Sequence, residues 1–227
     1  MEKDQVDRYA KDMLTLTQND FDISVYGTTI YDLYDKMILD GCYASVVSFL
    51  KDEGKLDLPD GVRPDEAFNS IYLVFDFDPQ DPRFNFDHIL QCAQFFSDET
   101  RNGKLYLNFP MFESLFDIQN QENTWVLSEA VSVKGLNGPT YKKSVKKRSV
   151  ISGFSISSQD YPKIIRLHEC RYRKLMSIKE TTTWPGTNLP ALVRIQRSSM
   201  EGKKTEIAIL NTFALLILDY NPTLLPK

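Results

Sequence analysis

Two aspartates, Asp76 and Asp78, close the apolar run SIYLVFDF, and a third, Asp81, follows in the turn DPQDPR. Strand geometry puts residues i and i+2 on one face, so a strand carried through Phe77 projects Asp76 and Asp78 together. Two carboxylates that close raise each other's pKa unless a positive charge lies between them. Oxygen donors of this kind suit Mg2+, or Mn2+ in its place, held by one or two carboxylates with phosphate oxygens and water. Asp76, Asp78 and Asp81 are therefore the expected metal ligands. Glu113, shortly after the later apolar run KLYLNF, is expected to join them, binding the ion or positioning water. Lys104, or Arg101 near it, is expected to stabilise charge on a scissile phosphate.

Ligand sites in open α/β sheets lie outside the carboxyl ends of the strands. The run SIYLVFDF is apolar on both faces, as a central strand covered on two sides should be. Two Asp-Pro pairs then mark a turn. Asn85 is placed to cap a helix over FDHILQCAQFFSD, where Phe86, Ile89, Leu90, Ala93 and Phe96 recur at helical spacing. Gly103 marks a turn into the strand KLYLNF. Strand, helix and strand in this order predict a βαβ unit with a parallel pair and a right-handed crossover.

Upstream, the spacing predicts a helix over Met1 to Leu16, a short strand or loop at FDISVYGTT, and helices at TIYDLYDKMILD and YASVVSFLKDE. Downstream, YKKSVKKRSV reads as a basic helix and YPKIIRLHECRYRKLMSIKE as an amphipathic one. TEIAILNTFALLILDY, apolar almost all round, reads as a buried helix. The expected fold class is α/β: a mostly parallel sheet flanked by helices over residues 20–133, with a basic, mainly helical region at 134–227 packed on it.

Charge divides the chain at the same place. Residues 1–133 carry 10 lysines and arginines against 25 acidic residues, and residues 134–179 carry 12 against 2, although the net charge is only −4. The two parts either attract each other or present a basic surface to a polyanion. Lys142, Lys143, Lys146, Lys147 and Arg148 are expected on one side of their helix, where they would grip nucleic-acid phosphates without reading sequence. DNA and RNA are equally open. Three widely spaced cysteines fit a reducing compartment and give neither a disulfide framework nor a zinc site. No apolar run is long enough for a membrane span, and no apolar leader opens the chain, so a cytoplasmic location is expected. The two histidines, His88 and His168, fall within expected helices, and no nucleophile elbow or phosphate-binding glycine loop occurs.

The stretch DFDPQDPRF, followed by DET and GKLYLNFPMFES, resembles an uncharacterised bacterial family with a Toprim-like core. YGTTIYDLYD and the closing LNTFALLILDYNP fit the same pattern, so the resemblance runs from about Tyr26 to Pro222. Relatives of that core include the OLD nucleases and phage-defence effectors. The resemblance implies a Toprim-like parallel sheet, a DxD motif at Asp76 and Asp78 holding Mg2+, and a later glutamate at Glu113. It also implies a metal-dependent nuclease acting in phage defence; a partner ATPase and a second copy of the chain are left open as companions. The family's first glutamate has no counterpart in VYGTTIYDLY, and this leaves open a catalytically degenerate module that binds nucleic acid or a partner protein. VFDFDPQ is also similar to the motif of haloacid-dehalogenase-type phosphatases, with Pro79-Gln80 where their Gly-Thr stands.

Overall fold

The computed structural model describes residues 3–15, 28–41, 43, 45–64, 66–151, 156–157, 159–180 and 183–225. Helix α1 (Lys3–Leu14) buries Ala10, Met13 and Leu14. The expected strand or loop at FDISVYG lies outside the described residues. Helix α2 (Ile30–Tyr34) opens on a capping box. The Thr29 hydroxyl accepts from the Asp32 amide, and the Asp32 carboxylate accepts from the Thr29 amide at 2.8 Å. It runs on into a π-helical turn (Asp35–Leu39), and α3 (Val46–Asp52) follows, capped by Ser45.

The main sheet has the order β1 (Tyr72–Asp76), β3 (Gly103–Asn108), β2 (Ser97–Asp98). Strands β1 and β3 run parallel, in register from Tyr72 opposite Lys104 to Asp76 opposite Asn108. Helix α4 (Phe86–Phe95) connects them, with Asn85 Oδ1 accepting from the Asp87 amide at 2.7 Å, as its sequence signal predicts. Gly103 opens β3 with φ +95°, where a Cβ would stand 3.3 Å from Ile71 and Leu73 side-chain atoms. Position 103 thus needs glycine for both its conformation and its space.

The sequence places β1 at the centre of the sheet. Among the described residues it is an edge strand with β3 as its one neighbour, and Val74 is 36% exposed. The expected mostly parallel sheet is met by β1 and β3 alone, because every other strand pairing described is antiparallel. Strands β4 (Ile118–Gln121) and β5 (Thr124–Leu127) form a hairpin. Its two-residue turn, Glu122-Asn123, takes positive φ at both positions, the conformation that matches the twist of hairpin strands. Strand β6 (Ala130–Ser132) pairs with β7 (Glu206–Ala208).

Four helices complete this mixed α/β fold: α5 (Gly138–Arg148), α6 (Tyr161–Met176), α7 (Leu189–Glu201) and α8 (Thr212–Tyr220). The boundary expected at residues 133 and 134 is bridged twice, by β6 pairing with β7 and by α8 packing on β3. The apolar stretch from Thr205 is also not one helix. Its first part is β7, and Asn211 then starts α8 by accepting from the Ala214 amide at 3.2 Å. Among the described residues no helix is long and apolar enough to cross a membrane.

His168 on α6 is fully buried and ties α6 to α8. Its Nδ1 accepts from the Asn211 amide at 3.1 Å, which leaves Nε2 to donate to the Leu115 carbonyl at 3.4 Å. Burial pushes the imidazole down to about 4 from its ordinary 6.5. The unfolded chain therefore takes up this proton first as pH falls. Stability from His168 is complete above about pH 6.5 and is lost between there and about pH 4, on the order of 3 kcal/mol in all. NMR titration of the imidazole checks this: its resonances should stay constant down to about pH 5, and a midpoint near 6.5 would contradict it.

Candidate functional site

The carboxyl ends of β1 and β3 point at the amino-terminal half of α5, and the acidic residues gather there in two separate pairs. An aromatic cluster underlies them. Phe77, fully buried, packs on Phe84, Phe86 and Phe109 with ring centroids 5.3, 5.9 and 4.9 Å away. Tyr31 of α2 donates its hydroxyl to the Phe77 carbonyl at 2.7 Å, anchoring the strand end from the other side.

Asp76 ends β1 and is paired in charge with Glu113, which is 1% exposed in the 3-10 turn Phe112–Phe116. Burial and the Glu113 charge push the Asp76 carboxyl up to about 7. The Phe112 amide, Lys142 and the Asn108 side chain pull against that rise. Asn108 lies opposite Asp76 in the register, is 1% exposed, and accepts from the Phe213 amide at 3.3 Å. Sequence reasoning missed Asn108. A polar residue in the apolar run KLYLNF was its only signal, and that signal gains meaning once the register is known.

Asp78 does not continue the strand. Its φ is +40°, a conformation open to aspartate but rare for most side chains. The expectation that Asp76 and Asp78 project together from one strand face fails at this turn. Asp78 Oδ1 accepts from Gln80 Nε2 instead, and partial burial and Asp81 raise its pKa while Lys142 opposes them. Asp81 is engaged elsewhere. Arg83 donates to it from Nε and Nη2, both at 3.2 Å, and from its backbone amide at 2.9 Å. That guanidinium also reaches Asp32 at 2.6 Å and Thr29 at 3.1 Å, joining the start of α2 to the loop after β1. Arg83 accordingly holds the Asp81 carboxyl below its usual range.

The cation at these carboxylates belongs to the chain. Lys142 Nζ stands 3.4 Å from Glu113 Oε1, and its charge also acts on Asp76 and Asp78. Helix α5 explains its direction. Tyr141, Val145 and Arg148 recur at helical spacing and face the core, and Lys142 flanks that stripe. Arg148 grips Asp117, a fully buried carboxylate, with Nε at 2.7 Å and with Nη2. Tyr141 and Ser128 donate to the same carboxylate at 2.9 and 2.6 Å. The five basic residues expected on one side of the helix are therefore divided. Lys143, Lys146 and Lys147 are exposed, while Lys142 and Arg148 turn inward to acidic partners.

Lys104 is not part of this cluster. It is the second residue of β3, at the opposite end of the strand from Asn108, and pairs with Asp219 at 2.9 Å. Asp219 also accepts from Tyr106 at 2.7 Å and Trp184 at 2.7 Å. Lys104 belongs to that buried network, beside a cavity of about 210 Å³ that Tyr72, Glu99 and Tyr220 help to line.

The metal implied by the resemblance does not fit the residues as placed. Among the described residues no group of three or more histidine, cysteine, aspartate or glutamate side chains is disposed to hold an ion. Asp78 turns to Gln80 and Asp81 to Arg83, Asp76 faces the Phe112 amide and the Asn108 side chain, and an ammonium stands against Glu113. Among protein-family models, curated proteins and solved structures, none matches this chain.

Proposed function

We propose that the protein is a Toprim-like module that binds nucleic acid through its phosphates and does not cut it. The observation that carries this reading is the division of α5. One face is locked to the core through Tyr141, Val145 and Arg148. The opposite face offers Lys143, Lys146 and Lys147, which have no acidic partner among the described residues. A rigid helix presenting three exposed ammonium groups at i, i+3 and i+4 suits a polyanion read by charge and not by base. The resemblance supplies the rest of the reading: a phage-defence role and a partner ATPase as companion. The absence of the family's first glutamate supports a degenerate centre.

The test is a salt titration of binding to a labelled oligonucleotide of mixed sequence, as DNA and as RNA. Log affinity should fall linearly with log salt concentration, with little difference between sequences. Affinity that ignores salt would refute the reading. A second reading, metal-dependent phosphodiester cleavage, is favoured by one arrangement, Asp76 beside Glu113 at the carboxyl ends of the two parallel strands. It is distinguished by cleavage itself, since a binding module leaves the strand intact.

A further inference from the structure

The carboxylates at the ends of β1 and β3 need a positive charge, and the structure supplies one from within. Glu113 is almost completely buried, and a buried carboxylate is costly unless it is paired. Lys142 reaches it from the first turns of α5, half-exposed along its stem, with Nζ 3.4 Å from Oε1. The helix that aims this side chain is itself held by the Arg148–Asp117 ion pair and by Tyr141, so Lys142 is delivered by a rigid element. Asp78 and Asp81 are turned to Gln80 and Arg83 and add nothing to the Glu113 side of the cluster.

We infer that Lys142 is a resident cation of the Asp76–Glu113 pair and keeps divalent metal ions out of it. An ammonium beside Glu113 Oε1 cancels part of the negative charge that would draw a divalent ion and fills space beside the pair. A metal ion would also have to draw Asp76 and Glu113 to within about 2.0–2.6 Å of one centre, where the lysine head group already competes. The inference concerns the carboxylates alone and does not rest on nucleic-acid binding, so either can fail without the other.

Removing the ammonium should turn the pair into a metal site. The probe is Mn2+ alone, titrated into the full chain without nucleic acid and followed by the loss of the free-ion electron paramagnetic resonance signal. Wild type and Lys142→Arg should show no saturable binding. Lys142→Met, which keeps the aliphatic stem, should bind one Mn2+ saturably, at concentrations at least about tenfold below those at which wild type still shows no binding. Adding Glu113→Gln to that variant should abolish the binding. Lys142→Gln, which keeps a donor for Glu113, is the second variant should the methionine protein fail to fold, as judged by circular dichroism. Wild type that binds Mn2+ as tightly as Lys142→Met, in a manner lost with Glu113→Gln, would overturn the inference. So would a folded Lys142→Met or Lys142→Gln protein that binds none.

Discussion

Asp117→Ala is expected to cost about 2–4 kcal/mol of folding stability, from the charge-assisted hydrogen bonds lost and a buried donor left unsatisfied. Asp117 is fully buried and accepts from Arg148, Tyr141 and Ser128. Its loss strands the Tyr141 hydroxyl, which is buried with it, whereas Arg148 is 32% exposed along its side chain and can turn to water. For a chain of this length the cost corresponds to a fall in Tm on the order of 10 °C. Asp117→Asn should cost less, because an amide oxygen still accepts one hydrogen bond while the charge attraction is gone. The same change loosens the docking of α5 on the 3-10 turn that carries Glu113, so it should also weaken the Lys142 contact. Thermal unfolding of the two variants beside wild type checks the order. An alanine variant with unchanged Tm would mean that α5 is not held by this network.

Replacing Lys143, Lys146 and Lys147 together by alanine should remove most salt-dependent nucleic-acid binding and leave the fold intact. Each phosphate contact contributes about 0.9 to the slope of log affinity against log salt on duplex DNA, so three contacts account for about 2.7. Between roughly 50 and 200 mM salt, that share of the slope alone changes affinity by about fortyfold. Alanine is a good helix former, and these positions are exposed, so stability should stay within about 0.5 kcal/mol of wild type. Lys142→Ala should leave the slope nearly unchanged, because that ammonium is spent on Glu113. Fluorescence anisotropy at several salt concentrations reads both variants. A triple variant with the wild-type slope would place the polyanion surface away from α5.

The βαβ unit is legible in the sequence because its signals are local. Asn85 caps α4 from one residue before it, and Gly103 must accept a positive φ hard against Leu73. The edge position of β1 is not legible, since an apolar run carries no record of how many neighbours it has. The start of α8 is half-legible. Asn211 is a cap residue in plain view, but the apolar run on either side of it hides the change from strand to helix.

At the candidate site, Asp76 and Glu113 do come together, because both follow strands that the sequence pairs in parallel. Asp78 escapes that reading because period-two alternation holds only while the strand continues, and β1 stops at Asp76. The partition of the basic helix depends on contacts far apart in the chain, Lys142 with Glu113 and Arg148 with Asp117. Helical spacing put all five basic residues on one side, whereas the packing of Tyr141 and Val145 leaves only Lys143, Lys146 and Lys147 on the exposed face. The spacing gave no warning that Lys142 and Arg148 would be spent on buried carboxylates. Lys104 shows the same limit. Its closeness in sequence to the site residues concealed that a strand's two ends face different parts of the molecule.

A module of the proposed kind holds nucleic acid without a metal ion and leaves it uncut. The most direct measurement follows labelled DNA and RNA with the wild-type protein in EDTA and in Mn2+ at matched ionic strength, reading binding and strand integrity from the same samples. Equal binding under both conditions and intact strands throughout are the expected result. Cleavage that requires Mn2+ and disappears in Asp76→Asn/Glu113→Gln would contradict it and make the carboxylate pair a working catalytic centre.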